Sequence, residues 1–333
     1  MSPSTTRHLL MAMTPERALD VCHPATRARL EDEFATTWAS SGLDEDELRD
    51  LLPGQDIVVT SWGTPRLPAD LLGTDRGGPG IVAHAAGTIK NLVPPESLED
   101  VTVFSAAPRI ATSVGEYCLS AVLTLTRHLV ESHADVVQGR WKSDRPSGGE
   151  LTGRRIGIVG ASSTAREFIR LLAPFRTEIT VHDPFLSPAR AEQLGVRRAS
   201  LEEVMDNEIV SVHVPATPAT EGMLTAELIA AIPDGAIVLN SSRGAAVDTA
   251  ALLEAAVSGR LRVGLDVYDV EPPQLAESLA QVPGLLLTPH IAGDTSDGHR
   301  ALTGYVLEDV TDHLARGHRG PSWVDPAALS ILA

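Results

Sequence analysis

The sequence predicts an α/β protein made of two doubly wound parallel-sheet domains. Three observations carry that prediction. The chain of 333 residues is long enough for two domains of ordinary size, and a hydrophobic content of 43% supports a core in each. From Arg155 to Thr288, short β-branched runs alternate with segments of helical period. A looser version of the same alternation occupies the N-terminal third. Such alternation builds a parallel sheet with helices on both faces.

In the first half, Arg7–Met13 reads as a strand, Thr26–Phe34 as a helix and Leu43–Leu52 as a helix with acidic residues in its first turn. Asp56–Ser61 and Gly80–Ala85 are short apolar runs with β-branched members. Ser113–Val130 is apolar on most faces, which predicts a helix buried in a core or against another subunit. The turn-rich Ser143–Glu150 closes this half. Beyond it, Arg155–Gly160 (RIGIVG) predicts a buried strand. Ala165, Phe168, Ile169 and Leu172, spaced i, i+3, i+4 and i+7, predict a helix packed on it. Further strands are predicted at Glu178–Asp183, Ile209–Val214, Ala236–Asn240, Val263–Val267 and Leu285–Thr288. Helices are predicted at Ser200–Asp206, at Thr225–Ile232, stopped by Pro233-Asp234-Gly235, and at Thr249–Ser258.

Composition narrows the function classes. A net charge of −17 argues against a nucleic-acid partner, because a phosphate backbone needs a basic face. Cys22 and Cys118 are too few for a disulfide framework or a cysteine metal site, which favours a reducing compartment. The scattered histidines lack ligand spacing, so no metal is expected. Leu9–Met13 is too short for a signal-peptide core, and no later run resembles a membrane span. The expectation is a cytoplasmic protein without a membrane partner.

The first chemical signal is the turn after Gly160. A strand that runs through a tight turn into a helix offers backbone N–H groups to a pyrophosphate. The dinucleotide fingerprint is G-x-G-x-x-G, and here the segment reads Gly160-Ala161-Ser162-Ser163-Thr164-Ala165. Alanine at the last position is an accepted variant. Ser162 is a departure, since its Cβ stands where a cofactor approaches the backbone. Ser162, Ser163 and Thr164 offer hydroxyl donors in compensation. Asp183 ends the next predicted strand, within the window of about 20 residues where an acidic side chain accepts from ribose hydroxyls. A carboxylate there repels a 2′-phosphate and so prefers NAD to NADP. Alone, Asp183 also fits a cap on the Pro184 turn.

From Gly80 to Leu314 an ordered series of motifs resembles the D-isomer-specific 2-hydroxyacid dehydrogenase family, in the manner of its phosphoglycerate dehydrogenase and hydroxypyruvate reductase members. The series is Ser113-Val114-Gly115-Glu116, Gly139-Arg140-Trp141, Glu150-Leu151-Thr152-Gly153, His213-Val214-Pro215 with Thr217-Pro218 and Thr220, Asn240-Ser241-Ser242-Arg243-Gly244, Leu265-Asp266-Val267-Tyr268 with Glu271-Pro272-Pro273, and Thr288-Pro289-His290-Ile291-Ala292-Gly293. The residues before Gly80 match only in general pattern.

The resemblance implies hydride transfer between NAD(H) and a small 2-oxo or 2-hydroxy acid, D-specific, with Arg243, Glu271 and His290 as the catalytic trio. Each suits its part chemically: a guanidinium for the carboxylate, an imidazole for the proton, a carboxylate to hold that imidazole. By the same resemblance, Val114, Val214, Pro215, Thr220, Ser242 and Asp266 join Gly160, Ser162, Ser163, Thr164 and Asp183 around the cofactor. Ala86-Gly87-Thr88 matches the substrate loop, whose N–H groups receive the carboxylate. The implied layout is a flavodoxin-like substrate domain of residues 1–111 with 295–333, and an inserted Rossmann cofactor domain of residues 112–294. The helix at Ser113–Val130 then reads as a homodimer contact. Trp62, His84, Lys90 and Arg109 lie near the expected substrate loops and are equally suited to recognition and to packing. Two alternatives stay open: an NAD(H)-sensing, corepressor-like binding protein, which retains the trio, and an enzyme whose Ser162 has cost it the cofactor.

Overall fold

The computed structural model describes residues 6–142 and 147–328, so the stretch 143–146 within the predicted Ser143–Glu150 turn lies outside the described residues. The chain divides into two compact units. One comprises the residues up to Ile110 together with those from Asp294 onward, and the other comprises Ala111–Gly293.

The first unit contains a five-stranded sheet of β1 (His8–Ala12), β2 (Ala35–Trp38), β3 (Ile57–Thr60), β4 (Ile81–His84) and β5 (Thr102–Ser105). All pairings are parallel, in the order β2-β1-β3-β4-β5, the flavodoxin-like arrangement. The predicted runs at 56–61 and 80–85 become β3 and β4, each buried throughout, because helices cover both faces of the sheet. The two-residue period divides the side chains. Leu9, Met11, Ile57, Val59 and Phe104 meet Val306, Leu307 and Val310 on one face. Leu10, Ala12, Val58, Val82 and Val103 meet Leu48, Leu52 and Leu67 on the other. The helix Leu302–Arg316 supplies the covering residues of the first face, so the C-terminal segment completes the N-terminal core.

The second unit holds seven parallel strands: β6 (Arg155–Val159), β7 (Glu178–His182), β8 (Arg197–Arg198), β9 (Ile209–Val212), β10 (Ile237–Asn240), β11 (Arg262–Leu265) and β12 (Leu285–Leu287). Their order is β12-β11-β10-β9-β6-β7-β8. The winding reverses between β6 and β9, and ligands of such sheets bind outside the strand ends at that reversal. The helix Ser163–Leu172 follows β6, and Ala165, Phe168, Ile169 and Leu172 are all buried, as a helix covered on that face requires.

One predicted element changes shape. The apolar segment expected at Ser113–Val130 is a helix from Ala107 to Arg127. It starts earlier because Ser105 Oγ accepts from Ala107 N and turns the chain upward out of β5. It ends where His128 takes a left-handed conformation (φ 55°), after which a second helix runs from Leu129 to Val137. Glu131 of that helix accepts from Arg262 Nη2 at 2.8 Å and Gly284 N at 2.6 Å, which ties it to β11 and β12.

Candidate active site

At the sheet reversal, Gly160 ends β6 with φ +93°. A Cβ there would lie 2.8 Å from the His213 carbonyl oxygen and 3.0 Å from Val214 Cγ1, so the glycine is required by the approach of the segment after β9. Ser162 is the N-cap of the Ser163–Leu172 helix, its hydroxyl accepting from Ala165 N. The same hydroxyl lies 2.9 Å from Thr164 Oγ1, which is 3.0 Å from His213 Nδ1, and His213 Nε2 is 2.9 Å from Ser211 Oγ. Burial pushes the His213 imidazole down to about 3, so this relay is neutral. Asp183 lies beside the turn. Its Oδ2 accepts from Ala161 N and its Oδ1 from Phe185 N, both at 2.7 Å. Each oxygen keeps a lone pair for a ribose hydroxyl. A helix N-terminus with hydroxyls in its first turn and a carboxylate at the next strand end is a donor and acceptor set that fits a dinucleotide. Val214 is buried, and Thr220 closes its loop by donating to the Pro215 carbonyl at 2.5 Å. Val114 is buried in the Ala107–Arg127 helix.

Arg243, Glu271 and His290 converge beyond the ends of β10, β11 and β12. Asn240 shapes the first turn: its Oδ1 accepts from Ser242 N and Ser242 Oγ, and its Nδ2 donates to the Arg243 carbonyl. Gly244 follows, and a Cβ there would overlap the Tyr268 carbonyl and Asp269 N. That approach brings the Arg243 turn against the loop holding Glu271. Glu271 Oε1 accepts from Tyr268 N at 3.1 Å, and its Oε2 lies 2.7 Å from His290 Nδ1. Burial works against the Glu271 charge, but the bonds from His290 and Tyr268 N outweigh it, with the Arg243 charge adding, and hold the carboxyl below its usual range. Burial likewise draws the Arg243 guanidinium down, against the attraction of Glu271. Asp266 is fully buried, and its carboxylate accepts from Thr288 Oγ1 at 2.6 Å and from Ile291 N and Ala292 N at 2.8 Å.

In the first unit, Ala86-Gly87-Thr88 follows β4. Its carbonyls are tied from within: Ser105 Oγ donates to Ala86 O at 3.2 Å and to Gly87 O at 2.5 Å, and Ser61 Oγ donates to Ala85 O. Buried His84 bonds the Thr88 backbone and Thr60 Oγ1. With the carbonyls engaged, the loop N–H groups make no hydrogen bond among the described residues. Ser105 and His84 act through backbone atoms four to nineteen positions away in sequence, which no motif announces. Trp62, with Arg17 over its ring at 5.5 Å and His299 at 5.0 Å, lines a small cleft with Thr14, Glu16 and Gly63. Arg109 lies in the first turn of the Ala107–Arg127 helix, and Lys90 is exposed just past the loop.

The profile of the D-isomer specific 2-hydroxyacid dehydrogenase NAD-binding domain matches residues 119–292, just over half of the chain. The chain belongs to that family. A D-3-phosphoglycerate dehydrogenase of Mycobacterium tuberculosis is 31% identical over 299 residues, which cover 89% of this chain and 56% of that protein. The present chain therefore spans little more than half of the length of that relative. A hydroxypyruvate reductase of Thermotoga maritima is 29% identical over 281 residues, covering 83% of this chain and 90% of the other. Among solved structures, a phosphoglycerate oxidoreductase from Rhizobium etli superposes with a TM-score of 0.82 at 26% identity, covering 96% and 99% of the two chains. The family assignment makes NAD(H) the cofactor of the second unit. Among the described residues, no helix is long and apolar enough to cross a membrane.

Proposed function

We propose that this chain is an NAD(H)-dependent, D-specific reductase of a small 2-oxo acid. The observation that carries the reading is the bond between His290 Nδ1 and Glu271 Oε2 beside the part-buried Arg243. With Nδ1 committed to Glu271, His290 keeps Nε2 for the substrate oxygen. It delivers the proton there in reduction and takes it back in oxidation. Glu271, held ionised by its own partners, stabilises the imidazolium and fixes the ring. Arg243 donates one N–H to the Ser242 carbonyl at 2.7 Å, which orients the fork and leaves its other donors for the substrate carboxylate. The bound nicotinamide supplies the hydride. The Ala86–Thr88 loop receives the carboxylate on its N–H groups.

In this reading residues 1–111 with 295–333 form the substrate domain and residues 112–294 the cofactor domain. Gly160, Ser162, Ser163 and Thr164 take the pyrophosphate, and Asp183 takes the ribose and disfavours NADP. Val114, Val214, Pro215, Thr220, Ser242 and Asp266 line the remainder. The protein works in the cytoplasm as a homodimer and binds no nucleic acid. The dimer is supported by the exposed Leu129, Val130, Val136, Val137 and Trp141, an apolar cluster at the end of the helical segment predicted to meet a subunit.

NADH fluorescence titration followed by absorbance decay with glyoxylate, pyruvate, hydroxypyruvate and bulkier or anionic 2-oxo acids tests the proposal. Binding with oxidation is expected. Binding without turnover across the panel would favour the second reading, an NAD(H)-sensing binding protein, for which the altered turn at Ser162 is the motivating observation.

A further inference from the structure

His290 stands in the left-handed region, at φ +56°. A residue with a Cβ does not rest there without help, so its neighbours must hold it. The backbone bond from His290 N to the Asp266 carbonyl at 2.8 Å holds one side. The residues that follow, Ile291 and Ala292, give both N–H groups to the Asp266 carboxylate. Asp266 therefore clamps the chain around His290, and what fixes Asp266 fixes the imidazole.

Two hydroxyls converge on that clamp. Thr288 Oγ1 lies 2.6 Å from Asp266 Oδ1, and Tyr117 Oη lies 2.6 Å from Thr288 Oγ1. The proton order follows from donor counts. Thr288 has one hydrogen and gives it to Asp266, so it accepts from Tyr117. Burial, with the Asp266 charge adding, pushes the Tyr117 phenol up against the Thr288 bond, so it stays a donor. Tyr268 closes the same loop from another side by donating to the Thr288 carbonyl at 3.1 Å. The charged groups around the loop are Asp266, Glu271 and, through Glu271, Arg243.

We propose that Tyr117 and Thr288 are positioning residues for His290. Their relay, Tyr117 to Thr288 to Asp266, keeps the loop in the left-handed turn that presents the ring to Glu271. The relay also joins two distant parts of the chain. Tyr117 rides on the helix that crosses from the first unit into the second, and Thr288–Ala292 immediately precede the return at Asp294. The proposal rests on the catalytic reading of His290 given above, but its structural part can be examined without turnover.

The experiment is nitrogen NMR of the His290 imidazole in the full chain without cofactor, on the wild type, Thr288→Val, Thr288→Ser and Tyr117→Phe. Thermal unfolding, NADH affinity and steady-state kinetics accompany it. The wild type should show one tautomer, Nδ1–H bonded to Glu271. Thr288→Val should show mixed tautomers and a kcat lower by roughly tenfold to a hundredfold, with NADH affinity retained. Thr288→Ser should restore both signatures, and Tyr117→Phe should shift them in the same direction by less. Should Thr288→Val fail to fold, Tyr117→Phe decides. A folded Tyr117→Phe or Thr288→Val with an unaltered imidazole signature would overturn the proposal. If the wild type turns over no 2-oxo acid, the proposed function fails, and the tautomer spectra still decide the relay.

Discussion

Ser162 illustrates how one residue is read differently once its neighbours are known. In the sequence it stands in place of a glycine that a cofactor needs. In the fold its hydroxyl is engaged locally, capping its own helix and lying 2.9 Å from Thr164 Oγ1. Ser162→Gly should therefore change NADH affinity less than threefold while lowering stability by about a few tenths of a kcal/mol, the usual cost of exchanging such a cap for glycine. Fluorescence titration reads the first effect, and a large gain in affinity would show the serine to be an obstruction. His84 and His213 make a second prediction. Burial holds their imidazoles down to about 4 and about 3, so both are neutral in the folded protein. In the unfolded chain they titrate near 6.5. As pH falls below that value the unfolded state takes up protons that the folded state refuses, so stability present at neutral pH is lost. Each should contribute about 2 kcal/mol of loss between pH 7 and pH 5. Urea unfolding at the two values measures it, and His84→Gln should remove about half of the combined loss. Equal stability at both values would contradict the assignment.

At the scale of elements, the strand ends decide where the candidate site residues stand. β10 and β11 were legible in the sequence as apolar runs, since a strand covered on both faces needs little else. Arg243 and Glu271 were legible only through their motifs, because nothing in local pattern says that two loops separated by a helix touch. Gly244 is what lets them meet. Gly244→Ala should force the Arg243 turn away from Tyr268 and cost at least a hundredfold in kcat/KM, with a measurable loss of thermal stability. Wild-type kinetics in that variant would place the catalytic contact elsewhere. The Ala107–Arg127 helix shows the opposite limit. Its apolar character was plain, but its start depended on Ser105 and its end on His128, which are tertiary and conformational decisions that periodicity does not encode. β2 escaped prediction for a similar reason: Ala35–Trp38 is half-exposed at a sheet edge and carries no alternation strong enough to mark it. The mostly buried four-residue β5 and the exposed two-residue β8 are too short to mark themselves.

At the scale of the molecule, the apolar cluster from Leu129 to Trp141 stays exposed among the described residues, and the proposed dimer would cover it. Light scattering should give twice the chain mass of 35.3 kDa. Leu129→Glu with Val137→Glu should yield monomer, whereas an unchanged mass in that variant would move the interface to another face. The sequence alone carried the α/β class, the parallel-sheet character of the second unit and the family. Those properties are written in patterns local to each strand and turn, and in the order of motifs. Only the tertiary structure decided which atoms meet: that Asp183 closes on Ala161, that Ser105 and His84 turn the carbonyls of the 86–88 loop inward, and that Tyr117 reaches Thr288. Hydrogen bonds between residues far apart in sequence depend on where the sheet delivers each strand end, and a one-dimensional pattern carries no record of that distance.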